Sequence, residues 1–219
     1  MRSRISKVLV TMILMVGMAG VAHANNFSFT GHFTQDDNVQ LFHFVVGATS
    51  NVTLRSWGYA GGTNAAGTLI ARGGFDTILA LFDSTGALID SNDDGFDVNI
   101  GCLVPADSVS GACYDSLLTS SLSAGTYTVA VMEYNNFANG PNLSDGFQQD
   151  GQGNFTGSLT GHPGGSFWDV TGDQRDNHWA FDILDVQGAT TVPEPSTLLL
   201  LLPGLTGLAA FLRTGKSRL

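Results

Sequence analysis

Between residues 25 and 191 apolar side chains recur at every second position, and that period decides the backbone. Phe27, Phe29 and Phe33 alternate with polar or small partners. Residues 39–46 set Gln40, Phe42, Phe44 and Val46 against Val39, Leu41, His43 and Val45, and 51–57 set Val52 and Leu54 against Thr53 and Arg55. Residues 77–82 run into a tight turn, Asp83-Ser84-Thr85-Gly86, from which 87–89 return as the second arm of a hairpin. Residues 125–134 carry Tyr127, Val129 and Val131 on one face, and 179–186, the last predicted strand, carry Trp179, Phe181 and Ile183. Successive side chains of a strand point to opposite faces, so this spacing builds half-buried strands. No window of about 11 residues carries the 3.6-residue repeat of an amphipathic helix. Glycine is concentrated in the connections, as short-stranded sandwiches require. The prediction is an all-β sandwich occupying 25–191 as one domain, since that length supports a single core and no linker divides it.

The two ends are apolar for another reason. Arg2, Arg4 and Lys7 precede the apolar run 8–21, and Ala22-His23-Ala24 supplies small residues at a cleavage position. Residues 1–24 read as a secretory signal peptide cut after Ala24. At the other end Val192-Pro193-Glu194-Pro195 is followed by the apolar run 196–212, containing Pro203, and then by Arg213, Lys216 and Arg218. That run has no polar face and sits at the short end of the spanning range, with a basic stop behind it, so it reads as a transmembrane helix. Motif, apolar run and basic tail together, 192–219, closely resemble the PEP-CTERM sorting signal of Gram-negative bacteria. The resemblance implies export by the general secretion machinery and a transient stay in the inner membrane. It further implies processing near the motif by an exosortase, a membrane-embedded cysteine transpeptidase. Delivery to the cell surface or extracellular matrix, in association with exopolysaccharide, follows from it as well. What the domain does there is left open.

Charge is distributed just as unevenly. Only Arg55, Arg72 and Arg175 are basic between residues 25 and 195, which hold all 19 acidic residues and no lysine, a net charge of −16. Such a surface repels phosphate backbones and anionic lipids, which excludes nucleic acid as a partner and favours divalent cations. Cys102 and Cys113 are the only cysteines. In an exported chain this pair, inside a Gly/Ser/Asp-rich stretch, reads as a disulfide closing a surface loop, worth ~3 kcal/mol in the chain-entropy account. A metal site would need further ligands at zinc-like spacing, and none is present.

Three segments carry a second likeness. "FTGHFTQDDNVQLFHFVV", "FDTILALFDSTGALIDSNDDG" and "LSAGTYTVAVMEY" are similar to the bacterial pre-peptidase C-terminal domain over residues 27 to 134. In that family an Asp-rich turn precedes an aromatic strand, a D-x-x-L-x-L-[FY]-D-x-x-G hairpin ends in Asn-Asp-Asp, and a Gly-x-Tyr strand comes late. The chain departs from the pattern in a long loop from Asp93 to Asp115, a polar insertion over 135–153, and Asp37-Asn38-Val39-Gln40-Leu41-Phe42 at the strand opening. The resemblance implies a jelly-roll-like sandwich of the kind appended, without catalytic activity, to secreted proteins.

Two groups of residues are candidate sites. Asp83, Asp90, Asn92, Asp93, Asp94 and Asp97 cluster around the hairpin, and Asp36, Asp37 and Asp76 are placed to approach through the fold. Calcium takes six to eight oxygens without strict geometry, so Asp93 and Asp94, then Asp76 and Asp83, are the predicted ligands. The competing explanation is turn chemistry, because Asp and Asn bond their own backbone in reversals. Among the aromatics Trp57, Tyr59, Phe167, Trp168 and Trp179, the pair Trp57 and Trp168 sits beside Gly- and Ser-rich loops and could stack on sugar; burial in the core is the alternative. No cofactor other than calcium is indicated. No nucleophile elbow, zinc-protease helix or phosphate loop occurs. His32, His43, His162 and His178 lie in strand patterns or a Gly/Pro turn, and Glu133 is the sole glutamate of the folded stretch. The resemblances imply a non-catalytic role and the missing motifs permit it; the alternatives are a secreted carbohydrate-binding module and an exported hydrolase using the histidines and aspartates.

Overall fold

The computed structural model describes residues 24–193. Residues 1–23 of the predicted signal peptide, Glu194, Pro195, the apolar run 196–212 and the basic tail lie outside these residues. No helix among the described residues is long and apolar enough to cross a membrane.

The described chain is all-β. In order it forms β1 (Asn25–His32), β2 (Val39–Val46), β3 (Ser50–Ser56), β4 (Gly62–Thr63), β5 (Leu69–Ile70), β6 (Thr77–Phe82) and β7 (Leu88–Asn92). There follow β8 (Phe96–Asp97), β9 (Gly101–Cys102), β10 (Leu117–Leu122), β11 (Gly125–Glu133), a single helical turn α1 (Thr156–Leu159), β12 (His178–Val186) and β13 (Gly188–Thr191). Two antiparallel sheets make the sandwich, one ordered β1-β12-β3-β10 and the other β13-β2-β11-β6-β7. The pairs β4-β5 and β8-β9 are small separate ribbons.

Period-two alternation delivers the core. Phe42, Phe44, Val46, Val52, Leu54, Leu79, Leu81, Val129, Val131, Trp179, Phe181 and Ile183 meet between the sheets, with Tyr127 packed against them. The Phe42 ring is fully buried and lies 4.7 Å from Phe29, 5.1 Å from Phe181 and 5.7 Å from Trp179.

Two corrections concern strands. The chain does not end its sheets at 186: Asp185, at φ 63°, reverses it so that β13 crosses to the second sheet and pairs with β2. β10, with Thr119, Ser120 and Ser121, pairs with β3 as an edge strand whose polar residues hid its alternation. The polar insertion is also structural. Phe137, Leu143 and Phe147 cover Ile78, Ala80, Phe82, Ala130 and Met132 on the outer face of the second sheet. This third layer is why every residue of β6 is buried.

Strand register separates the two ends of the sandwich. Gln40, Val131, Leu79 and Asn92 stand in one row across β2, β11, β6 and β7. Beyond that row lie the connections 33–38, 57–76, 93–116 and most of 134–177, which form a loop end; the 141–143 stretch of the last runs back along the outer face to pair with 86–88. The chain also leaves the fold there, with Val192 N bonded to Leu41 O and Val192 O accepting from Gln40 Nε2. The opposite, turn end holds the short connections 47–49, 83–87 and 123–124.

Truncating Phe42 removes a ring from the centre of this packing. Phe42→Ala is expected to cost about 3–5 kcal/mol in urea unfolding, whereas Leu69→Ala, at an exposed position, should stay within about 0.5 kcal/mol.

A candidate cation centre at the loop end

The described chain holds few cations, so most buried acids at the loop end are satisfied by backbone N–H and hydroxyl donors. Asp115 accepts from Tyr59 N, Ala60 N and Ser56 Oγ. Asp36 accepts from Thr156 N, Thr156 Oγ1 and Phe167 N, drawing α1 and the 167 strap onto the 33–38 loop. Asp169 accepts from Tyr59 Oη at 2.7 Å. Asp107 is the exception that finds cations: Arg72 grips it through Nε and Nη2 at 2.8 and 2.7 Å, and Arg175 Nη1 lies 3.4 Å away. The Arg72 hydrogen bonds hold the Asp107 carboxyl down at about 2.

Four buried or half-buried acids here have no such partners, and three of them, Asp76, Asp93 and Asp94, converge. Asp76 enters β6 and Asp93-Asp94 leave β7, and an antiparallel hairpin puts the start of one arm beside the end of the other. The Ser116 hydroxyl lies against both Thr77 O and Asp93 O, pinning the end of β7 to β6. One carboxylate oxygen from each of Asp76, Asp93 and Asp94 falls within 4.8 Å of the others. Oδ1 of all three is buried without a hydrogen-bond partner, and Asp76 is 2% exposed. Burial pushes the Asp76 carboxyl well up, and its charged neighbours Asp93, Asp94, Asp169 and Asp115 push it the same way. Burial, then Asp94, raises Asp93 to about 7, and burial raises Asp94. Convergent anionic oxygens without donors are costly unless a proton or a cation joins them. The set contains only hard oxygen ligands, which suits calcium or magnesium and not a thiolate- or imidazole-seeking metal.

Glu133 belongs to the same end. It is paired with Thr77 across β11 and β6, fully buried, and neither carboxylate oxygen has a partner. Burial raises it well above the usual range, with Asp36, Asp76 and Asp169 adding to the effect. In the sequence Glu133 stands out only as the lone glutamate of the folded stretch, which gives no indication of this placement. The available signal was a carboxylate closing the apolar run of β11.

The remaining predicted residues go elsewhere. Asp83 sits at the turn end and is not part of the cluster. Its Oδ1 accepts from Thr85 N, Thr85 Oγ1 and Ala87 N, so it is a turn former, and those bonds hold its carboxyl below the usual range. Trp57 is half-buried, with the Arg55 guanidinium 3.6 Å over its ring and Nε1 donating to Asp182 at 2.7 Å. Trp168 is half-buried and stacked on His162, centroids 3.5 Å apart, beside a cavity of about 340 Å³ that it lines with Tyr134, Leu159 and Val170. Cys102 and Cys113 form the disulfide expected of them. Val192 and Pro193 are at the exit from the fold.

No family model matches the chain, and no curated protein matches it.

In chelator, the native state retains a proton at Asp93 that the unfolded chain releases from about pH 4 upward. Its contribution to stability is full below about pH 4 and is lost as pH rises to about 7. The melting temperature of the chelated protein should therefore fall between pH 4.5 and 7, and Asp93→Asn should flatten the slope. A melting temperature that rises across this window would contradict the assignment.

Proposed function

We propose that the chain is an exported, non-catalytic surface protein whose jelly-roll-like sandwich binds calcium at its loop end through Asp93, Asp94 and Asp76. On this reading an exosortase processes it at Val192-Pro193-Glu194-Pro195, and it then acts in matrix, biofilm or envelope association with exopolysaccharide. The convergence of three donor-free carboxylates carries the cation assignment. The sorting assignment is supported by the motif, apolar run and basic tail.

The four histidines of the folded stretch differ in how their ring nitrogens are engaged, with His32, His43 and His162 each bonded through Nδ1 alone. His178 contacts Asp176 through Nδ1 and Ala71 O through Nε2, so both ring nitrogens are engaged. His43 meets Thr128, and His162 is stacked on Trp168. The non-catalytic reading is supported by the resemblance to appended sandwich domains, and a substrate panel on the exported protein tests it. A carbohydrate-binding module is the second reading, favoured by the cavity that Trp168 and Tyr134 line. Weaker retention on exopolysaccharide for Trp168→Ala than for wild type would select it.

An ion bound only by the folded state stabilises by RT ln(1 + [L]/Kd), ~2.7 kcal/mol at about 100 times Kd. Calcium should raise the melting temperature by several degrees, more than magnesium does, and the shift should vanish in Asp93→Asn/Asp94→Asn. Asp83→Asn should lower the melting temperature yet keep the calcium shift. Coincident curves with calcium, magnesium and chelator would remove the site.

Intact-mass measurement checks the export route. The product from an exosortase-competent host should begin near Asn25 and end near Pro193 to Pro195; retention of Leu198 to Leu219 would count against sorting.

A further inference from the structure

We infer that the disulfide loop between β7 and β10 is a membrane-docking element, seating the loop end on the bilayer while the chain is anchored. The inference rests on the reading that the apolar run 196–212 enters a bilayer.

The loop displays apolar side chains where a soluble surface hides them. Ten large hydrophobic residues are exposed among the described residues, and five of them, Phe96, Val98, Ile100, Leu103 and Val109, lie on this one loop. Val98 is 87% exposed, Ile100 75% and Phe96 55%. Clustered exposed apolar groups mark an interaction surface, whereas scattered ones do not. The loop is also built to hold its shape. β8 and β9 pair at its tip, Cys102–Cys113 closes it, and Gly95 N donates to Asp115 O while Leu103 N donates to Gly95 O. Between Asp97 and Asp107 it carries no charge.

Chain length selects the occupant. The described chain leaves the sandwich at Val192–Pro193, at the loop end, and the apolar run begins at Ser196. Three residues span at most about 11 Å, so a bilayer that takes the run must lie against this end of the sandwich. β13, which leads to the exit, and β7, which leads to the loop, are the two edges of one five-stranded sheet, roughly 19 Å apart at about 4.8 Å per strand. A tether at one edge and an apolar hairpin at the other give two points of contact with the same plane. The acidic body repels anionic lipid, but the tether supplies a high effective concentration and the uncharged 98–106 stretch of the loop, between Asp97 and Asp107, enters by hydrophobic transfer. Held this way, residues 192–195 lie at the membrane surface, where a membrane-embedded transpeptidase can reach them.

The test uses the chain exported in a host without an exosortase and reconstituted into phosphatidylcholine vesicles with brominated acyl chains. Val98→Trp places an indole on the loop, and Ser84→Trp places one on the turn end; flotation reports anchoring. After subtraction of the parent chain's emission from Trp57, Trp168 and Trp179, the component added by Val98→Trp should fall roughly two-fold, as for a side chain sunk about 5–10 Å into the headgroup–acyl boundary, and that added by Ser84→Trp should match unbrominated controls. Flotation with equal emission from the two variants overturns the docking role and leaves anchoring intact. Failure to float overturns both. An unquenched Val98→Trp in a chain that sediments as a dimer, with Val98→Asp restoring monomer, assigns the patch to a second copy and overturns the proposal.

Discussion

Carboxylates without cations organise the loop end. A body with three arginines and a net charge of −16 cannot pair its acids, so they recruit the donors every chain carries in abundance, its own backbone N–H groups. A carboxylate bonded by two or three N–H groups gains charge-assisted hydrogen bonds and ties together segments distant in sequence. Asp115 joins β10 to the 57–60 segment, Asp36 joins the 33–38 loop to α1 and Phe167, and Asp182 receives Ser28, Trp57 and Ala65. Against this rule Asp76, Asp93 and Asp94 stand out, because their buried oxygens converge and receive nothing.

The same rule explains why the two ends differ. At the turn end the reversals are short and Asp83 bonds within 83–87, with the 141–143 stretch supplying the remaining bonds to Gly86 O and Leu88 N. At the loop end three long connections and the 33–38 loop must be satisfied against one another. Loops of that kind are where binding groups collect on a rigid scaffold. The cation cluster, the cavity beside Trp168, the apolar disulfide loop and the chain exit all lie there. Their shared location follows from strand direction alone, since β6 begins, and β7, β11 and β13 end, on that side.

Much of the fold was legible. Phe42 and Phe44, Val52 and Leu54, Val129 and Val131, and Trp179 with Phe181 face the core as their alternation requires. The Asp83–Gly86 turn and the Cys102–Cys113 bond were equally readable, because each depends on neighbours close in sequence. β10 was not, since an edge strand can carry serine and threonine where its outer face is wet. Nor was the burial of β6 on both sides, which needs Phe137, Leu143 and Phe147 to return from an insertion whose composition is polar.

The sequence by itself determined the β architecture, the acidity and the apolar character of the two termini, because side-chain period, charge and run length act locally. Only the tertiary structure decided which acids meet. Asp83 and Asp93 are close in the chain, yet a strand of β6 length holds Asp83 at the far end while bringing Asp76, from 17 positions earlier than Asp93, to its side. A hairpin makes neighbours of its two open ends and separates both from its turn, and that register is set by pairing across strands rather than by any residue's own preference.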